Sequence, residues 1–518
     1  MTRHFNTAGP CKPDLHYMLP PDRRLPDVRG LVEQQSYFVL HAPRQIGKTT
    51  ALFSLAKELS AEDRYAAVLV SMETGAAFPD DVGAAELAML AEWRMAARHQ
   101  LPPSLQPPPW PDAAPGARIG AALEAWASTS TRPLVIFLDE IDALRDDVLI
   151  SVLRQLRAGH KYRPTAFPWA LGLVGLRDVR DYKVASGGSD HLNTASPFNI
   201  KVRSLTMREF TADEVADLYA QHTAETGQRF EAAALARAFE LTRGQPWLVN
   251  ALAYVVTGEL SRDRAVTITV ADIDRAREIL IERQDTHLDS LAERLRDPRV
   301  RAVIEPMILG ETLSPMPPDD LRFVLDLGLV RQTATGAVEV ANPIYREIIA
   351  RQLTVIVRAS LPTITPTWLD ASGRVDFDKL LDAFVDFWLR HGEALLGSTP
   401  YNEAAAHLVL MAFLQRIVNG GGRIDREYAI GSKRLDLCVD FRGDALGIEV
   451  KTWRDSDKTV DPTIEGITQL DGYLARLNVT RGWLVLFDQR KKAAPLPERL
   501  RRERLTTENG RTVDLVRL

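Results

Sequence analysis

"HAPRQIGKTT", residues 41 to 50, follows a short β-branched and aromatic run, "SYFVL" (36 to 40), and leads into "TALFSLAKELS", which has helical periodicity. Strand, glycine-containing turn and helix in that order form a phosphate-binding loop. Its backbone N–H groups surround phosphate oxygens, and the helix N-terminus adds its positive end. The stretch fits G-x-x-x-x-G-K-[ST] at every fixed position except the first, where Ala42 stands for glycine. The candidate nucleotide contacts are Ala42, Pro43, Arg44, Gln45, Ile46, Gly47, Lys48, Thr49 and Thr50. Lys48 would reach the β/γ-phosphates, and the Thr49 hydroxyl would coordinate Mg²⁺. Gly47 would let the backbone approach closely, and alanine is tolerable at 42 if its dihedrals are ordinary.

Outward from the loop, "AAVLVS" (66 to 71), "LVIFL" (134 to 138) and "WALGLVG" (169 to 175) are apolar runs of the kind buried on both faces of a parallel sheet. Separated by helical stretches, they predict a doubly wound α/β core. "LVIFLDEID" ends such a strand in two acids, which are costly there unless a cation waits. Asp139 is the expected Mg²⁺ partner and Glu140 the group that polarises an attacking water. Both elements lie at strand ends, where open α/β sheets bind ligands.

Two further stretches extend the pattern. Arg177 and Asp178, in "LVGLRDVRDY", stand just past the next strand, the place of a phosphate-sensing polar residue. "TRGQPWLVN" (242 to 250), with Pro246, lies in a helical segment running from about 206 to 290. Residues 320 to 350 read helix, strand, turn, strand, helix, the order of a winged-helix unit. With these motifs the chain to about residue 355 resembles the AAA-like ATPases of the STAND-related group: core, helical lid and winged helix. The resemblance implies ATP and Mg²⁺ as cofactors, nucleotide contact through the Gly-Gln-Pro element, and homo-oligomers in which a neighbour supplies an arginine. Arg157 and Arg163 are candidates for that arginine.

After "LPTITPTW" (361 to 368) a new domain begins. "KRLDLCVDFRGDALGIEVKTW" sets Asp436 on one strand and Glu449 and Lys451 on the next. Side chains alternate along a strand, so Glu449 and Lys451 share a face of a run that otherwise reads as buried. Asp436 and Glu449 could bind Mg²⁺ together, with Lys451 near a phosphodiester. A helix with Glu403 precedes the strands, and one with "QLDGY", holding Gln469 and Tyr473, follows. In this order the segment resembles the PD-(D/E)xK nuclease superfamily, with Gln469 and Tyr473 matching the Gln-x-x-x-Tyr element of a subset. That resemblance implies metal-dependent cleavage of nucleic acid, DNA first, with Glu403, Asp436, Glu449, Lys451, Gln469 and Tyr473 in the site. Glu427 could be a partner of the site or a solvated strand residue.

The expected organisation is therefore multidomain α/β: an ATPase core at 1–205, a helical lid at 206–290, a winged-helix-like domain at 291–360 and an α/β nuclease-like domain at 361–518. Two functional readings stand beside each other. One is an ATP-controlled nuclease of the kind often linked to mobile elements or phage defence. The other is an ATP-dependent switch that binds DNA or protein through the winged helix, with a nuclease-like domain that binds but does not cleave.

Composition bounds these readings. A chain of 518 residues with 45% hydrophobic and 26% charged residues is ordinary for a globular protein of several domains. Two cysteines, Cys11 and Cys438, allow neither a disulfide framework nor a cysteine metal site. No signal-peptide core or membrane-length apolar run is present, so a cytoplasmic location without membrane association is expected. "LPPSLQPPPWPDAAPG" (101 to 116) is expected as a surface insertion, because its prolines exclude helix and central strand. The formal net charge is −5, but "RKKAAPLPERLRRER" (490 to 504) is strongly basic. It is either a solvated face or a track for phosphates.

Overall fold

The structure, a computed structural model, describes residues 3–20, 23–176, 200–283, 291, 293–308, 317–333, 336–360, 367–370, 372–398, 405–418, 422–430, 433–441, 443–453, 461–490 and 492–518. Within these, the side chains at 26, 305, 354–360, 393–398, 405, 416–418, 422, 423, 425–430 and 433–436 are not described. The chain divides into two compact units, Met1–His287 with Arg322–Ile344, and Leu288–Leu321 with Tyr345–Leu518. The segment expected as a winged helix, 291–360, is thus shared between them.

The first unit is built on a five-stranded sheet: β1 (Tyr37–His41), β2 (Ala66–Ser71), β3 (Leu134–Asp139), β4 (Ala170–Gly175) and β5 (Arg203–Thr206). All pairings are parallel and the order is β2-β3-β4-β1-β5. Strand β1 therefore lies between partners far from it in sequence. Its C-terminal end opens beside β4, as ligand sites of such sheets require. The four long strands are buried almost throughout. Their side chains alternate between two apolar clusters: Tyr37, Val68 and Ile136 pack on one face, Phe38, Leu69 and Phe137 on the other. Each such side chain stabilises the fold by roughly 1.5–3 kcal/mol. That two-sided burial makes the runs continuously apolar in sequence.

Helix α1 (Pro26–Glu33) precedes β1, and α2 (Lys48–Ala61), α3 (Val82–Gln100), α4 (Arg118–Thr129) and α5 (Asp146–Gly159) connect the strands. The proline-rich stretch contains neither long helix nor strand, as expected, but it is not loose. Leu105 is buried, Trp110 packs on Trp126 with ring centroids 5.9 Å apart, and each indole N–H donates to a backbone carbonyl. Helices α6 (Ala212–Thr226), α7 (Ala232–Thr242), α8 (Pro246–Val255) and α9 (Val270–Arg283) follow as the helical segment. Helix α6 opens on a capping box in which Thr211 and Glu214 exchange hydrogen bonds. Helices α10 (Pro298–Ile308) and α11 (Pro318–Asp326) precede a two-stranded antiparallel ribbon, β6 (Val330–Gln332) and β7 (Val338–Val340). Helix α12 (Pro343–Ser360) follows, so the anticipated element order is present.

The second unit contains α13 (Phe377–Ser398), α14 (Ala405–Val418), β8 (Gly422–Ile430), β9 (Lys433–Phe441), β10 (Asp444–Trp453), α15 (Thr463–Leu477), β11 (Arg481–Asp488), β12 (Arg501–Thr506) and β13 (Thr512–Arg517). Its six-stranded sheet runs β12-β13-β11-β10-β9-β8. Pairings β10–β11 and β11–β13 are parallel and the others antiparallel. Leu470 and Leu474 of α15 join Leu484 on one face, while Trp388 of α13 meets Phe487 from the other at 4.6 Å. Among the described residues no helix is long and apolar enough to cross a membrane.

Candidate functional site

The loop after β1 bends through two left-handed residues, Gln45 (φ 58°) and Gly47 (φ 91°). Glycine adopts that conformation without the steric cost a Cβ brings. Ala42 is not among the left-handed residues; it is buried, 1% exposed, and its N–H donates to the Gly175 carbonyl at 3.2 Å. The first position of this loop therefore needs no glycine, and its methyl group joins the apolar cluster under the sheet. Ala42→Gly is expected to leave ATP turnover within about twofold of wild type and to lower stability by about 1 kcal/mol, the backbone-entropy cost of glycine. Steady-state hydrolysis and thermal melts check both numbers; a large gain in turnover would identify the alanine as a brake.

Lys48 opens α2, and its ammonium donates to the carbonyls of Ala42 (2.7 Å) and Pro43 (2.9 Å). It thus lies over the loop it belongs to. Burial pushes its pKa down, and the carboxylates of Asp139, Asp142 and Glu140 pull it back up. Thr49 Oγ1 donates to Asp139 Oδ2 at 2.6 Å, so loop and acidic strand end meet across ninety residues of sequence. Asp139 is 4% exposed, and burial raises its pKa against the Thr49 bond. Glu140 stands outside the strand in a left-handed conformation (φ 57°), facing solvent. Its pKa is raised first by partial desolvation, then by Glu73, Asp139 and Asp142. A hydroxyl and a carboxylate in contact at a phosphate loop are the donor set that Mg²⁺ takes, so the residues fit that ion. Arg44 and Gln45 are exposed, Ile46 is buried, and the Thr50 hydroxyl accepts from the Cys11 N–H at 3.0 Å.

The Gly-Gln-Pro element caps α8. Gln245 Oε1 accepts from the Leu248 N–H at 2.6 Å, and Pro246 occupies the first turn. Gly244 lies against Phe210 so closely that a Cβ there would meet the Phe210 carbonyl oxygen at 1.9 Å. Arg163 donates to the carbonyls of Gln35 and His160 and stacks 4.7 Å from the Tyr37 ring of its own chain. Arg157 is exposed. Arg177, Asp178 and Glu403 lie outside the described residues.

In the second unit Glu449 is 2% exposed on β10. Lys451, two residues on, reaches Glu449 Oε1 at 3.2 Å and Gln469 Oε1 of α15 at 2.7 Å, and Gln469 donates to Glu465 at 2.8 Å. The β9–β10 register, ending at Ile448↔Leu437, brings Asp436 opposite Glu449 when continued by one residue. The side chains of Asp436 and Glu427 are not among those described. Tyr473 is buried in the apolar cluster with Leu470 and Leu474, so of the Gln/Tyr pair only Gln469 is shown in contact with Lys451. Among the described residues no group of three or more His, Cys, Asp or Glu side chains is placed to hold a metal.

Three arginines of the basic run form ion pairs within their own unit. Arg490 is held by Asp488 and lies 3.4 Å from the Trp453 ring centroid. Arg502 pairs with Asp378 and Asp382, and Arg504 with Asp378 and Asp514. These cations are engaged by acids of their own unit, which sequence distance hides.

No protein-family model matches the chain, and no curated protein does. Among solved structures it is similar to a Walker-type ATPase of Pyrococcus abyssi, at 13% identity over 67% of this chain and 99% of that one, with a TM-score of 0.47. It is also similar to the RuvB Holliday junction branch migration motor of Thermotoga maritima, at 16% identity over 62% and 90% of the two chains, TM-score 0.34. A third similarity is to the ORC2 protein of Aeropyrum pernix, solved in ADPNP–ADP complexes, at 13% over 66% and 96%, TM-score 0.36.

Proposed function

We propose that the first unit binds and hydrolyses ATP with Mg²⁺, and that its nucleotide state controls a Mg²⁺-dependent nuclease in the second unit that acts on DNA. The observation that carries the ATP reading is the meeting of Thr49 with Asp139 beside a half-buried lysine whose described hydrogen bonds go only to loop carbonyls. In this reading the loop backbone and Lys48 hold the β/γ-phosphates, Thr49 and Asp139 hold the metal, and the Glu140 carboxylate accepts a proton. Bound Mg²⁺ would neutralise charge on the phosphate oxygens. Lys48→Ala is expected to weaken ATP binding by about 100-fold, since charge-assisted bonds to phosphate are worth roughly 1.5–3 kcal/mol each. Equilibrium titration with a fluorescent ATP analogue measures it; unchanged affinity would remove the loop from the site.

Support for the nuclease reading is narrower: Glu449, Lys451 and Gln469 converge on one strand face, with Asp436 at the opposing register position. The internal pairing of Arg490, Arg502 and Arg504 favours a second reading, an ATP-dependent switch whose nuclease-like domain does not cleave. Cleavage assays on single- and double-stranded DNA and RNA with Mg²⁺ or Mn²⁺, in each nucleotide state, separate the two. The second reading requires that no substrate is cut.

A further inference from the structure

Arg24 belongs to no motif, yet it lies against the phosphate loop. A Cβ built on Gly47 would stand 3.2 Å from Arg24 Nη1. The side chain is buried, the residue being 8% exposed, and its Nε has no hydrogen-bond partner. Its Nη2 donates to the Arg208 carbonyl at 2.5 Å, and its guanidinium carbon stands 4.7 Å from the Phe210 ring centroid. Among the described residues no carboxylate is within ion-pair distance of it. The nearest candidate, Glu214, is already taken by both terminal nitrogens of Arg208 and by the Thr211 N–H.

A guanidinium enclosed without a direct ion pair is costly, and burial holds its pKa down to about 10 although the charges of Glu214 and Glu209 pull it up. Such a group is stabilised when an anion arrives. One face is occupied by Phe210, which leaves the edge, where Nη1 lies beside Gly47. Resting on the nucleotide reading of the loop, we propose that Arg24 is a phosphate-binding residue of the same site, contacting the phosphate chain of a bound nucleoside triphosphate or diphosphate from the side of Gly47. Its position also ties phosphate occupancy to the helical segment. Arg24 donates to Arg208, Arg208 Nη2 donates back to the Arg23 carbonyl at 3.0 Å, and the Phe210 backbone pairs with Gly244 at 2.8 Å, immediately before the Gly-Gln-Pro cap.

The test uses the full chain and displacement of a fluorescent ADP analogue by ATP and by inorganic tripolyphosphate, which carries the phosphates without the base. Arg24→Gln is expected to weaken both competitors by the same factor, about 10- to 100-fold, as the loss of charge-assisted bonds predicts. Arg24→Lys, which keeps the charge, should fall between that variant and wild type. The melting temperature of nucleotide-free Arg24→Gln should change little, because the bond to Arg208 and the contact with Phe210 that it loses are offset by removal of a buried charge that has no direct ion pair. If wild type binds nucleotide and Arg24→Gln binds both competitors within twofold of it, the assignment of Arg24 fails while the loop reading stands. A lower melting temperature with unchanged tripolyphosphate affinity would make Arg24 a purely structural clasp. Absence of any nucleotide binding by wild type would remove the loop reading, and this assignment with it.

Discussion

Glu140→Gln is expected to bind ATP within about twofold of wild type and to turn it over about 10²- to 10⁴-fold more slowly, the range that a positioned general base contributes. The substitution keeps the side chain's size and its outward position after β3, and glutamine already adopts a left-handed backbone at Gln45 in the same site. It removes only the capacity to take a proton. The pH dependence carries the same argument with a definite sign. Partial desolvation and the neighbouring Glu73, Asp139 and Asp142 raise the Glu140 pKa. A base works only when deprotonated, so kcat/KM should fall on acidification before reaching the ordinary glutamate range near about 4.3. In Glu140→Gln the residual rate should lose that limb. Wild-type turnover in the variant would take the role away from this residue, whatever the fate of the loop.

The parts of this chain that were legible in its sequence are those where one physical constraint dominates a short window. Strands β1 to β4 read as apolar runs because both faces of the sheet are covered, and Asp139 stood out because a carboxyl at the end of such a run demands a partner, which Thr49 supplies. Ala42 was the one departure from the loop pattern, and its ordinary backbone explains why it costs nothing. What escaped reading depends on partners distant in sequence. Phe5 and Tyr17 are 1% exposed, and Phe5 packs on Tyr219 at 5.4 Å, yet they sit in an N-terminal stretch without periodicity. Arg24 acquires its meaning from Gly47, Arg208 and Phe210 together. Strand β5 has four residues and mixed exposure, too short for alternation to show. In the basic run the composition suggested free charge, but Arg502 and Arg504 are engaged by Asp378 and Asp382, more than a hundred residues earlier.

Asp436→Ala is expected to abolish nucleic-acid cleavage and leave ATP turnover intact, because the two candidate sites belong to different units. Two carboxylates are needed to concentrate a divalent ion, and the lysine's part is to stabilise charge that develops on the phosphate. Lys451 has a second duty that complicates its own deletion. Its ammonium pairs with Glu449, which is 2% exposed, so Lys451→Ala would take an ion-pair partner from a buried carboxylate. Breaking a buried pair costs about 3–5 kcal/mol, and the partial exposure of Lys451 reduces that toward about 1–3 kcal/mol. Loss of cleavage in that variant alone would therefore not distinguish chemistry from stability. The double variant Glu449→Gln/Lys451→Met removes both charges, retains the volume, and should recover most of the melting temperature while remaining unable to cut. A chain in which this pair is only a structural ion pair would give the opposite: the double variant and Asp436→Ala would both cut as wild type does, and any cleavage would have to come from another part of the molecule.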